Sequence, residues 1–283
     1  MAAFSDVLLT VDYDRTLTAP DSTIPQRNLE AIRYFIDNGG AFTVNTGRSV
    51  PMSMQNILPA VPVSAPLLLY NGSAAYDTQS RKITQESPIA LDPKVLIDDL
   101  IRRFPALNME IQGEHAHYLC RKNPGWEAYC ENNGCAWEYV TTDSVPRPFL
   151  KLAVYGEFRE NTVASMFEAS EAELALFREA IDYIEQHYGD QVDVFRACAR
   201  IADIHAKGCS KLRAARDLQK AMSRKYLVCV GDAENDLPML EGADFAYCPA
   251  DGVVAGRFEN VCPCGDGAVA DVIYKKIPEI LEK

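Results

Sequence analysis

The sequence predicts an α/β protein: a parallel sheet built from both ends of the chain, with a separate α+β domain inserted between them. Three observations lead there. Short apolar runs alternate with helical periodicity from Val7 to Tyr70; the alternation returns from Cys209 onward; the stretch between does not follow it.

Val7-Leu8-Leu9-Thr10-Val11 is short, apolar and bounded by polar residues, which reads as a buried strand. From Ile24 to Asn38, Leu29, Ile32, Phe35 and Ile36 recur at helical spacing, with Pro25 suited to the first turn and Gly39-Gly40 to the end. Ala41–Val44 is a second buried strand, Met52–Leu58 a short helix, and Pro66–Tyr70 a third strand ending at Asn71-Gly72. At the other end, Cys209–Met222 carries Leu212, Ala215, Leu218 and Met222 on one side of a helix. The strand Tyr226–Val230 stops at Gly231-Asp232; a helix starts at Asp236, and Phe245–Cys248 is another strand. Ala268–Leu281 closes the chain as a helix interrupted near Pro278.

The middle contains helices at Leu91–Phe104 and Glu168–His187, with short alternating pieces such as His115–Leu119 and Phe149–Val154 between them. The domain assignment is therefore a core from residues 1–82 and 201–283, and an inserted domain over residues 83–200.

Composition narrows the partners. The 283 residues are 48% hydrophobic and 24% charged, ordinary values for a globular chain with a sizeable core. A formal net charge of −12 and the lack of a basic stripe argue against nucleic acid. No apolar run approaches the roughly 20 residues of a membrane span, and the first residues do not read as a signal peptide. Nine scattered cysteines suit reduced thiols and a cytoplasmic setting. Cys262-Pro263-Cys264 lacks the pair spacing and the nearby histidine of a zinc site. His115 and His117 share one face of a strand, which reads as a solvated face.

Four polar clusters lie where elements of the core meet loops: Asp12/Asp14, Thr46, Lys207-Gly208, and Asp232 with Asn235 and Asp236. Three follow predicted strands, and the crevice beyond the carboxyl ends of parallel strands is the usual ligand site. Each alone is ordinary turn chemistry, but one helix cap does not explain three acids crowded after Val230. Asp12, Asp14 and Asp232 would repel one another without a cation, and hard oxygen donors with room for water suit Mg²⁺. A carboxylate can attack phosphorus as a nucleophile, and a second acid can protonate the leaving oxygen. Thr46 and the Lys207 charge fit the need to neutralise transferring oxygens.

In order and placement these motifs resemble the haloacid dehalogenase-like hydrolases, specifically the Cof-type sugar-phosphate phosphatases. Asp12-Tyr13-Asp14-Arg15-Thr16, Thr46-Gly47-Arg48, Lys207-Gly208 and Gly231-Asp232 through Asn235-Asp236 match the four family motifs, and Asn71-Gly72 matches the Cof-type pattern. The resemblance implies a Rossmann-like parallel-sheet core with an inserted α+β cap. It implies Asp12 as nucleophile and Asp14 as acid/base, with Thr46 and Lys207 on the phosphoryl group. It further implies Mg²⁺ held by Asp12, Asp14 and Asp232 with Asp236 at its edge, and substrate contacts from Gly47, Arg48 and Asn235. The substrate would be a small phosphorylated metabolite, selected by inserted-domain residues such as Glu110, His115, His117, Arg121 and Trp126. Arg15 departs from the family, which carries glycine there. A phosphomutase would use the same groups with a sugar hydroxyl as acceptor. A phospho-accepting receiver module would need neither Asp14 nor the insertion, and Arg15 leaves a catalytically silent binding protein as a further alternative.

Overall fold

The computed structural model describes residues 3–156, 170–198 and 200–282. In chain order, β1 (Val7–Val11), α1 (Gln26–Asp37), β2 (Ala41–Val44) and α2 (Val50–Asn56) open the chain, followed by β3 (Leu67–Leu69), β4 (Ala74–Asp77) and β5 (Lys82–Glu86). Next come α3 (Pro93–Arg103), β6 (Asn108–Gln112), β7 (His117–Leu119), α4 (Pro124–Asn132), β8 (Trp137–Tyr139) and β9 (Leu152–Tyr155). Then follow α5 (Glu171–Tyr188), β10 (Val192–Cys198), β11 (Ile201–Ala206), α6 (Lys211–Ala221) and β12 (Tyr226–Val230). The chain ends with α7 (Leu237–Glu241), β13 (Phe245–Pro249), β14 (Glu259–Val261) and α8 (Ala268–Asp271), which runs on through Val272–Lys276 into α9 (Ile277–Leu281). Thus the closing helix continues past Pro278, which follows the wider turn at Val272–Lys276 and lies in the first turn of α9. Of the expected helix over 168–187, the first two residues fall outside the described residues.

The chain divides into two compact units. The first comprises Met1–Gly47, Ala60–Gln85 and Ser210–Lys283. Its five-stranded sheet has the order β14-β13-β12-β1-β2, every pair parallel. The fully buried VLLTV of β1 lies at its heart, between β2 and β12, as expected of a strand covered on both faces. β3 prolongs this order through a parallel bridge between Asn45 and Leu68, and on its other side pairs antiparallel with β4, which sequence alternation did not show.

The second unit comprises Arg48–Pro59 and Glu86–Cys209. Its six-stranded sheet runs β10-β11-β9-β6-β7-β8, antiparallel except for the final β7–β8 pair. The boundary differs from the sequence expectation at residues 201–209, because β11 pairs with both β9 and β10 and so belongs to this sheet. Residues 48–59 also fall here, since Met52 packs with Leu119, Trp126, Cys130 and Tyr155. The period of two divides the strands. Met109, Ile111, Leu152, Val154 and Ile204 face the apolar sides of α3 and α5, while Glu110, His117 and Tyr155 point to the opposite face.

Candidate active site

The carboxyl ends of β1, β2 and β12 bring the first unit's polar residues together. After β1 the chain makes a wide turn over Tyr13–Leu17, closed by the Leu17 N–H donating to the Asp12 carbonyl at 3.2 Å. Asp12 itself still belongs to the sheet, its N–H donating to the Val230 carbonyl of β12 at 2.9 Å. This fixes its side chain at the junction of two strands, buried.

Lys211 organises the cluster. Its Nζ donates to Asp12 Oδ1 at 2.5 Å and to Asp236 Oδ1 at 2.7 Å, and the side chain is 1% exposed. Burial alone would lower this ammonium, but the two carboxylates hold it above its ordinary value. The second Asp236 oxygen accepts from the backbone N–H groups of Asp232 and Ala233 at 3.0 and 3.1 Å. Asp236 therefore shapes the loop after β12 as well as placing Lys211. Glycine is needed at Gly231, because a Cβ there would lie 2.7 Å from the Asp236 side chain.

Asp232 accepts from Thr16 Oγ1 at 2.9 Å, which ties the loop after β12 to the turn after β1. Burial, then the Asp236 charge, pushes the Asp232 carboxyl up to about 7, against the pull of Thr16, Lys211 and Arg15. Burial likewise raises Asp12; Lys211 opposes it, while Asp236, Asp232 and Asp14 add to it. Ligand atoms of Asp12, Asp232 and Asp236 all lie within 4.8 Å of one another. With all three ionised, these carboxylates against one buried ammonium carry two net negative charges, which the nearby Arg15 offsets in part. The donors are hard oxygens, and this set fits a divalent cation of the Mg²⁺ kind.

The remaining residues of the expected site fall into place unequally. Asp14 is exposed beside Asp12. Thr46 is buried, its N–H donating to Leu68 and its carbonyl accepting from the Asn71 N–H. Gly47 lies against the Asn71 side chain, and Asn235 is half-buried in the loop before α7. Arg48 falls in the second unit.

Lys207 is a correction. It lies in the second unit, its Nζ bound to Asp193 Oδ1 at 2.7 Å and its side chain 53% exposed. The lysine on Asp12 is Lys211, one turn later, which Ser210 introduces as the cap of α6. A signal for it existed: Lys211 precedes Ala215 and Leu218 by four and seven residues, on the buried stripe of that helix. Lysine in such a stripe is rare unless paired. Thr16 and Asn45 were also not assigned roles from sequence. The Asn45 amide donates to the Lys211 carbonyl at 2.9 Å. Gly72, at φ 94°, packs so closely on α6 that a Cβ would run into the Ser210 carbonyl.

Arg15 adopts the left-handed conformation that glycine takes without cost, φ 60° and ψ 11°, and its N–H donates to Thr18 Oγ1 at 3.1 Å. Its charge acts on Asp232 and Asp251, whose carboxyl is lowered against burial mainly by hydrogen bonds from Cys264. Those bonds also show what Cys264 does: its thiol donates to Asp251 Oδ2 at 3.2 Å, whereas Cys262 lies against Arg27 and Asp271. His115 does not share a face with His117, because it precedes β7 and is exposed, while His117 is fully buried. The solvated-face expectation fails for His117.

Known proteins resemble this chain in sequence and in fold. Over 238 residues the chain is 24% identical to the HMP-PP phosphatase of Yersinia enterocolitica, covering 82% of this chain and 80% of that protein. It is 23% identical over 263 residues to the 5-amino-6-(5-phospho-D-ribitylamino)uracil phosphatase of Bacillus subtilis, covering 88% of each. The fold matches a solved haloacid dehalogenase-like hydrolase from Bacteroides thetaiotaomicron at a TM-score of 0.77 and 16% identity, over 95% of this chain and 98% of that one. No helix among the described residues is long and apolar enough to cross a membrane. Residues 9–253 match the sequence model of the haloacid dehalogenase-like hydrolases, and the chain belongs to that family.

Proposed function

We propose that this hydrolase is a Mg²⁺-dependent phosphatase that cleaves a small phosphorylated metabolite through an aspartyl-phosphate on Asp12. The observation that carries the reading is the contact of Lys211 with both Asp12 and Asp236 beside Asp232, at the carboxyl ends of parallel strands. The two phosphatases similar over most of the chain support the substrate class.

In this reading the Lys211 ammonium holds one Asp12 oxygen still, leaving the other to attack phosphorus. The bond from phosphorus to the leaving oxygen breaks as Asp14 gives that oxygen a proton. Exposure suits Asp14 to this work, since it must meet both substrate and water. Asp14 then takes a proton from water, which attacks the aspartyl-phosphate and frees Asp12. Thr46 and Gly47, with Asn235, cradle the transferring oxygens, and Lys211 takes the charge-stabilising part that sequence assigned to Lys207. Asp12, Asp232 and the Asp14 backbone would hold the cation, with Asp236 fixing that loop. When bound, Mg²⁺ offsets the clustered carboxylates and draws charge from the phosphate. The second unit would select the leaving group.

Phosphate release from a panel of sugar phosphates, nucleotides and phosphorylated cofactors tests this, with and without Mg²⁺. Release that requires Mg²⁺ and falls at least about a thousandfold in Asp12→Asn is the expected result. No release from any substrate, or equal release by Asp12→Asn, overturns it.

A further inference from the structure

On the face of the second unit's sheet away from α3 and α5, Glu110 of β6, His117 of β7 and Cys130 of α4 meet. All three are fully buried, and each offers one ligand atom within 4.8 Å of the others. We propose that they form a zinc site that is separate from the hydrolytic one.

Three features point to it. The first is spacing. Cys130 Sγ lies 3.7 Å from both Glu110 Oε1 and His117 Nδ1, which are 2.7 Å from each other. Tetrahedral zinc with Zn–S of about 2.3 Å and Zn–N or Zn–O of about 2.0–2.2 Å separates its ligand atoms by roughly 3.3–3.7 Å. The two sulfur distances already meet this; only the Glu110–His117 contact must open, by about 0.6 Å.

The second is the support around the ligands. A metal-bound histidine characteristically has its other ring nitrogen held by a hydrogen bond. Here His117 Nε2 lies 2.7 Å from Ser49 Oγ, and the far Glu110 oxygen accepts from Gln112 Nε2 at 3.0 Å.

The third is charge. With His117 protonated, Glu110, His117 and the Cys130 thiol sum to zero. Loading zinc expels one proton from His117 Nδ1 and one from Cys130 Sγ, and the carboxylate and thiolate then balance the ion, so the sum stays zero. Such a site imposes no unpaired charge on the sheet in either state. Its burial implies that the ion enters as the unit folds.

The test refolds the full chain with Zn²⁺ or Co²⁺, removes free metal by desalting, and measures bound metal and the absorption spectrum. The wild type should retain about one equivalent, with a thiolate-to-cobalt charge-transfer band in the Co²⁺ form. Asp232→Asn should keep both, and Cys130→Ala should lose both. Absence of the band from the wild type overturns the proposal without any variant having to fold. Retention by Cys130→Ala with loss in Asp232→Asn also overturns it, because the metal is then on the first unit's carboxylates. Neither readout depends on phosphate release.

Discussion

In the first unit three buried carboxylates, Asp12, Asp232 and Asp236, share one buried ammonium, Lys211. In the second, Lys151 meets Asp203 at 2.7 Å, one cation to one carboxylate, both buried. His205, beside that pair, is held well below its ordinary value by burial and then by the Lys151 charge, so it stays neutral. A matched buried pair satisfies itself and needs nothing from outside. An unmatched cluster is tolerated only where a ligand completes it, and this separates the first unit's carboxylate cluster from that pair.

The sharpest way to break the contrast is to remove the shared cation. Lys211→Met leaves Asp12 and Asp236 without their ammonium, and a loss of about 3–5 kcal/mol in urea unfolding is expected, together with loss of phosphate release. Divalent cation should restore part of the stability. A variant as stable as wild type in metal-free buffer would mean the carboxylates do not depend on this lysine.

The second unit's neutrality can be tested by pH. The unfolded chain protonates His205 near about 6.5, while the folded chain does not. Below that pH the unfolded state binds more protons, so stability falls as pH drops through the window, by up to about 1.4 kcal/mol per pH unit for this one group. Urea unfolding of His205→Gln should show a shallower decline below about pH 6.5 than wild type; an identical slope removes His205 from the account.

Arg15→Gly tests a smaller quantity, the cost of a left-handed arginine at φ 60°. Relief of about 1 kcal/mol is expected in the same unfolding assay. A destabilised variant would show that the Arg15 charge near Asp232 outweighs the backbone cost. Smallest is Lys207→Ala, which removes an exposed pair with Asp193 and should change stability by no more than about 0.5 kcal/mol. A loss as large as that of Lys211→Met would undo the distinction between these lysines.

The first unit was largely legible in the sequence because its central strands are buried on both faces and announce themselves as unbroken apolar runs. β1 and β2 lie where VLLTV and AFTV predict, and the acids follow β1 and β12 directly. Lys211 was missed for a reason of chemistry: on a helix, lysine reads as a solvated position, and only the tertiary cluster makes its burial favourable. The second unit was legible in outline only. Its strands alternate apolar with polar, and Glu110 and His117 look like a wet face until α4 and α2 cover them with Trp126, Cys130 and Met52. The pairing of β11 with β9 and β10, which moved the domain boundary, spans residues with no distinguishing local signal.

The placement of β1 between β2 and β12 also has a consequence for assembly. Val11 and Val230 are register partners, so the strand that leads into Asp12 is flanked by segments from opposite ends of the chain. During synthesis β1 can join β2 early, yet its other edge stays open while the whole second unit is made. That edge is apolar and unprotected, the kind that recruits foreign strands. The Asp12–Lys211 contact thus forms only once the whole second unit has been made, and it certifies that the chain has closed on itself.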